Sequence, residues 1–182
     1  MLRLPETIDT HTGKAFNYNK PEVCAADVAH GLAYVCRFAG HVNRYMSVAE
    51  HSIIVSRLAA SMRPELALVA LWHDAHEAYM GDMPKPLKNM VGKDYTSIAD
   101  KIDEAITKHL KVPVLASPII KSADNLAVLY EARELKPNGG WAFTKNFHHE
   151  QAEACVDWKI GLSPEAAESF FLSENYSLGG PT

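Results

Sequence analysis

The chain has 182 residues, 47% of them apolar and 22% charged, which fits one globular domain with a sizeable core. Its net charge of −4 argues against a sequence-independent nucleic-acid binder, whose affinity rests on a basic surface. No apolar stretch approaches the length of a membrane span, and the start has no signal-peptide core. The three cysteines, Cys24, Cys36 and Cys155, form no close pair, so reduced thiols in a cytoplasmic protein are expected.

Residues 1–22 are rich in turn formers and read as a loop or a short hairpin around Gly13. Asp27 to Phe38 reads as a helix stopping near Gly40. Ser47-Val-Ala-Glu50 is a capping box that opens a helix to about Ala60, with His51 in its first turn. Pro64 suits the first turn of a helix over 64–80 that is apolar almost all round, hence central and buried. That helix carries His73, Asp74 and Glu77. Residues 81–95 read as a polar loop, and Thr96 to Leu110 as a helix with Ile98, Ile102, Ala105 and Ile106 on one stripe.

Ser117-Pro118 opens a further helix to about Leu135, with Asp124 inside it. Gly139-Gly140 breaks the chain, a helix follows from about His148 to Ile160, and Ser163-Pro164-Glu165 opens the last one. Residues 176–182 read as a flexible tail. The expected architecture is all-α, a single-domain bundle of about six or seven helices.

Two acids stand out. Asp74 and Asp124 lie in apolar surroundings, and an ionised carboxylate taken from water needs a partner or a metal. For either one alone, a salt bridge or an edge position explains it. Together His51, His73, Asp74 and Asp124 supply two nitrogens and two carboxylates from three helices, a set suited to a divalent ion such as Zn, Mn, Co or Fe. Phosphate-ester hydrolysis asks for such an ion, for a nearby carboxylate to handle protons, and for cations around the phosphoryl oxygens.

The stretches Arg37-Phe-Ala-Gly-His, Ser47-Val-Ala-Glu-His-Ser, His73-Asp-Ala-His-Glu-Ala-Tyr-Met-Gly-Asp-Met-Pro-Lys-Pro-Leu-Lys and Lys121-Ser-Ala-Asp-Asn together resemble the HD-domain metal-dependent phosphohydrolases. The branch they resemble is that of the small 5′-deoxynucleotidases and phage dATP triphosphohydrolases. The resemblance spans residues 37–125, about half the chain. It implies an HD-type helical bundle over 1–182 and a divalent metal cofactor (Zn, Mn, Co or Mg) on His51, His73, Asp74 and Asp124. It implies Glu77 as catalytic glutamate and Asp82 as an acid that contacts the sugar or helps catalysis. Arg37, Lys88 and Lys121 match residues facing the phosphates. Where deoxynucleotide-specific members commonly carry Trp, this chain has Phe38.

The function this implies is hydrolysis of a deoxynucleotide 5′ phosphoester at the α phosphorus. Lys85 beside Lys88 tilts the expectation toward a dNTP, and the phage enzymes toward dATP. The alternative is a 5′-deoxynucleotidase acting on dNMPs. A cyclic-nucleotide phosphodiesterase would need extra ligands that residues 89–120 do not offer at a convincing spacing, and a non-catalytic binding module would need a damaged ligand set. A small-molecule substrate, no nucleic acid, no membrane and a homo-oligomer complete the expectation. Phe38, Tyr45 and Tyr79 are candidates for stacking a base. His76, His41 and His148-His149 are weaker functional candidates.

Overall fold

A computed structural model describes residues 6–135 and 158–182. The expected helix from His148 falls mostly outside these residues, as does the Gly139-Gly140 break, and residues 158–160 are not helical. The described residues are predominantly helical, with eight α-helices, two 3₁₀ turns and one two-stranded hairpin. Among them, no helix is long and apolar enough to cross a membrane. Cys24 and Cys36 are free thiols.

The N-terminal segment forms the hairpin expected around Gly13. Strands β1 (Thr7–Asp9) and β2 (Ala15–Asn17) pair antiparallel, with Ile8 opposite Phe16. Gly13 has φ +79°, a left-handed conformation that glycine adopts without penalty. Phe16 is buried and stacks on Tyr79, with ring centroids 3.7 Å apart.

Helix α1 (Ala25–Tyr34) is shorter than the sequence indicates. It stops because residues 35–37 run beside 46–48 as extended chain: Val48 N donates to Val35 O and Arg37 N to Met46 O. Arg37 and Phe38 therefore lie not on a helix end but in the turn Arg37–Gly40, where Phe38 (φ 55°) and Ala39 (φ 52°) are left-handed. Two successive non-glycine residues in that region are strained, and such strain clusters at functional sites.

Helix α2 (Val48–Met62) opens on half of the expected capping box: Ser47 Oγ accepts from Glu50 N at 3.1 Å, while the Glu50 carboxylate turns to Trp158 Nε1 and Gly161 N. Residues 48–56 are all buried, so α2 is the central helix of the molecule. It packs against α1, α3, α7 and α8.

The single helix expected over 64–80 is broken. A 3₁₀ turn (Pro64–Leu66) leads into α3 (Ala67–Leu71), and α4 is only Glu77–Met80. Between them the bonds run from residue i to i−3: Ala75 N to Trp72 O, Glu77 N to Asp74 O, Ala78 N to Ala75 O. The His73 ring adds a second claim on the Ala70 carbonyl at 2.8 Å, which favours this tighter pitch. Gly81, at φ +78°, ends α4.

Residues 81–95 are not one loop. They contain α5 (Lys85–Val91), with Pro86 in its first turn, and α6 (Lys93–Leu110) already begins at Lys93. The buried stripe of α6 is Tyr95, Ala99, Ile102, Ile106 and Leu110, while Ile98 is exposed. Helix α7 (Pro118–Leu135) matches expectation, with Ser117 Oγ accepting from Ile120 N.

Helix α8 (Pro164–Ser177) is capped by Ser163 as expected. The tail after it is not loose. Gly180 N returns to Asn175 O, and buried Asn175 donates from Nδ2 to Pro181 O while accepting from Trp72 Nε1 at 2.9 Å. A buried amide with both ends satisfied explains why the tail folds back.

Candidate metal centre and active site

The site lies where α2, the turn after α3 and α7 meet. His51 is fully buried on α2. Its Nδ1 pairs with Glu131 Oε1 at 2.5 Å, so its Nε2 faces the other way. There it lies 3.6 Å from Asp74 Oδ2 and 3.5 Å from Asp124 Oδ1. His73 is oriented in the same manner: Nδ1 points at the Ala70 carbonyl, and Nε2 lies 3.1 Å from Asp74 Oδ2. Among the described residues neither Nε2 makes a hydrogen bond, although both atoms are buried and face these carboxylates.

Orphaned buried nitrogens are rare and need an explanation. One ligand atom each from His51, His73 and Asp124 falls within 4.8 Å of the others, and Asp74 closes the set. The residues fit a divalent ion. Each imidazole has its far nitrogen fixed by an acceptor, which leaves Nε2 to coordinate, the usual device for orienting metal-binding histidines.

Burial and Arg37 oppose charge on His51, yet Glu131, Asp124 and Asp74 hold its pKa well above the ordinary value. Burial would raise Asp74 and Asp124, yet His73 and His51 hold both carboxylates below the usual range. Without an ion, these carboxylates favour the protonated form of the His51 imidazole.

Glu77 stands beside the cluster, one turn after Asp74. Its Oε1 accepts from Lys88 Nζ at 2.7 Å, and among the described residues its buried Oε2 has no hydrogen-bond partner. Burial and the charges of Asp74 and Asp82 push its pKa up to about 7, against the pull of Lys88 and Arg37. Lys88 also lies 5.3 Å over the Tyr95 ring. Lys121, largely exposed, reaches Asp124 Oδ2 at 2.6 Å.

Arg37 is buried, and its donors are engaged. Nε and Nη2 donate to Glu131 Oε2, and Nη1 donates to Asp82 Oδ2. The strained turn contributes too, since Phe38 N donates to the same oxygen of Asp82 at 3.3 Å. The ten residues that the resemblance singles out thus fall in one neighbourhood, with Arg37 and Asp82 bound to each other.

Glu131 is the residue the sequence analysis missed. It is fully buried and joins Arg37 to His51. Its signal was available: it lies seven residues after Asp124, two turns along the same face of α7. Two stacking candidates have structural roles instead. Tyr79 is buried against Phe16, and the Tyr45 hydroxyl donates to the Ala33 carbonyl. His76 is held between Asp103 and Tyr95.

No family model matches the chain. It is similar to "Uncharacterized protein YfdR" of Escherichia coli (strain K12), 39% identical over 136 residues, which are 73% of this chain and 74% of that protein. It is also similar to "Uncharacterized protein RCAP_rcc00048" of Rhodobacter capsulatus, 40% identical over 119 residues, 60% of this chain and 61% of that protein. With this identity over nearly three quarters of both chains, the protein belongs to the family of YfdR.

Proposed function

We propose that this chain is an HD-type metal-dependent phosphohydrolase acting on the 5′ phosphoester of deoxynucleotides. The observation that carries this reading is the pair of buried Nε2 atoms of His51 and His73, which face Asp74 and Asp124 and make no hydrogen bond among the described residues. These four residues would hold the ion. When bound, it supplies Lewis acidity, which polarises a phosphoryl oxygen and lowers the pKa of water.

The protein's own groups divide the remaining work. Glu77 Oε2 takes a proton from the attacking water, and a pKa near neutrality suits both taking and returning it. A bond forms from the water oxygen to the α phosphorus, and the bond from phosphorus to the nucleoside 5′-oxygen breaks. The proton on Glu77 passes to that leaving oxygen. Lys88 fixes Glu77 through Oε1 and adds positive charge beside the phosphoryl group. Arg37 acts mainly through Asp82 and Glu131, because three of its donors are already engaged.

Exposed Lys85, at the start of α5, supports a triphosphate tail, and the choice of dATP rests on the resemblance to the phage enzymes alone. A specific observation favours the second reading, a 5′-deoxynucleotidase. Lys88 and Lys121 are turned onto Glu77 and Asp124, which leaves less charge for β and γ phosphates. Incubation with Mn²⁺, Co²⁺ or Mg²⁺ and a panel of dNTPs and dNMPs, with products resolved by chromatography, decides between them. Deoxyadenosine and triphosphate from dATP support the first reading. Inorganic phosphate from dNMPs with dNTPs untouched supports the second.

A further inference from the structure

Three segments far apart in the chain meet at His11, His30 and Glu168. His11 sits on the hairpin turn, His30 on α1 and Glu168 on α8. Each offers one ligand atom, and the three atoms lie within 4.8 Å of one another. His30 Nδ1 is 3.0 Å from Glu168 Oε2. The two imidazoles are stacked, with centroids 3.6 Å apart and planes 12° from parallel. Tyr34 lies against His30 and donates its hydroxyl to Glu165 at 3.2 Å, which places a second carboxylate close by.

The turn that presents His11 is held in place from both sides. Asp27 accepts from Thr12 N at 2.8 Å and from the hydroxyls of Thr10 and Thr12 at 2.9 Å. A simple ion pair of His30 with Glu168 accounts for two of the three residues. It gives no role to a second imidazole seated 3.6 Å away, and protonation of both rings would set like charges face to face. Two neutral imidazoles and one carboxylate, by contrast, are a donor set that zinc takes with open positions left for solvent.

We propose that His11, His30 and Glu168 form a second cation site, for a divalent transition-metal ion of the zinc class, which clamps the hairpin onto α1 and α8. Nitrogen donors favour this class over magnesium or calcium. Coordination needs each imidazole lone pair to point at the ion within its own ring plane, so the stack opens on loading. His11 is exposed and is the ring that turns. The clamp has a route to the candidate active site: Phe16 stacks on Tyr79, and the Tyr18 hydroxyl donates to the Tyr79 carbonyl at 2.6 Å. Tyr79 shares α4 with Glu77.

The test strips the full chain with a chelator, dialyses it against Zn²⁺, counts bound ions by elemental analysis and records thermal unfolding with and without zinc. His11→Ala is expected to bind one ion fewer than wild type, with an unchanged zinc-free midpoint and a smaller zinc-induced rise. Glu168→Gln is expected to lose the same ion. Zinc uptake and a zinc-induced rise equal to wild type in either variant would overturn the proposal. Asp124→Asn serves as the control that separates the sites, since the ion it loses belongs to the proposed active site and leaves the His11 effect in place.

Discussion

Glu131 and Glu77 are both buried carboxylates at the candidate active site with different partners, and the proposed function gives them different work. Glu131 holds the His51 ring through Nδ1, so Glu131→Gln should lower metal affinity by about 10–100-fold while leaving turnover at saturating metal largely intact. On the proposed reading Glu77 handles a proton, so Glu77→Gln should lower turnover by about 10²–10⁴-fold with metal affinity unchanged. Metal titration followed by steady-state kinetics separates the two, and a Glu131→Gln enzyme with unaltered metal affinity would contradict the assignment. Asp74 and Asp124 were legible in the sequence because acids in apolar helices demand partners. Glu131 obeys the same logic and could have been found by extending the Asp124 face of α7. The engagement of Arg37 was not legible, since residues 37, 82 and 131 meet only through the fold.

Elements show where periodicity is a sufficient guide and where it is not. Helices α2, α7 and α8 each open on a serine whose hydroxyl accepts the expected backbone N–H, a local signal that needs no tertiary knowledge. The break between α3 and α4 gave no local signal, because residues 72–76 contain neither glycine nor proline, the usual marks of a helix break. The short α1 escaped because its end is set by pairing with residues 46–48.

Contact between α1 and α4 is close. A Cβ on Gly31 would fall 2.8 Å from Ala78 O and 2.9 Å from Ala78 Cβ. Gly31→Ala should therefore destabilise the protein by about 1–3 kcal/mol, read from the denaturant midpoint, and an unchanged midpoint would contradict this packing. The hairpin is attached to α1 through Asp27. Burial would raise that carboxyl, but bonds from the Cys24 thiol, the Thr12 N–H and the Thr10 and Thr12 hydroxyls hold it below the usual range. A depressed folded value means that Asp27 stabilises fully above its unfolded pKa of about 3.9 and ceases to do so as pH falls through the lower folded value. Asp27→Asn should cost about 1–3 kcal/mol at neutral pH, and the loss should shrink in acid. A difference from wild type that stays constant with pH would contradict the role given to the charge.

At the scale of the whole molecule, one central helix organises both stability and site. α2 is buried along most of its length, and the same helix carries His51 into the cluster and Glu50 toward the C-terminal segment. Glu50 accepts from Trp158 Nε1 and Gly161 N, both at 2.9 Å. Two distant parts of the chain thus close on α2, Asp124 and Glu131 from one and residues 158–162 from the other. A helical architecture was legible from the apolar spacing. The anchored tail was not, because Asn175, which holds it, gives no signal in sequence of its bonds to Trp72 and Pro181.

The central claim is that His51, His73, Asp74 and Asp124 hold an ion on which phosphoester hydrolysis depends. The most direct test assays metal-stripped, folded protein on dATP and dNMPs, before and after Mn²⁺, Co²⁺ or Zn²⁺ is restored. No turnover is expected when the protein is stripped, with recovery on metal addition and no recovery in Asp124→Asn. Undiminished turnover by the stripped protein, or none by the loaded wild type, would contradict it.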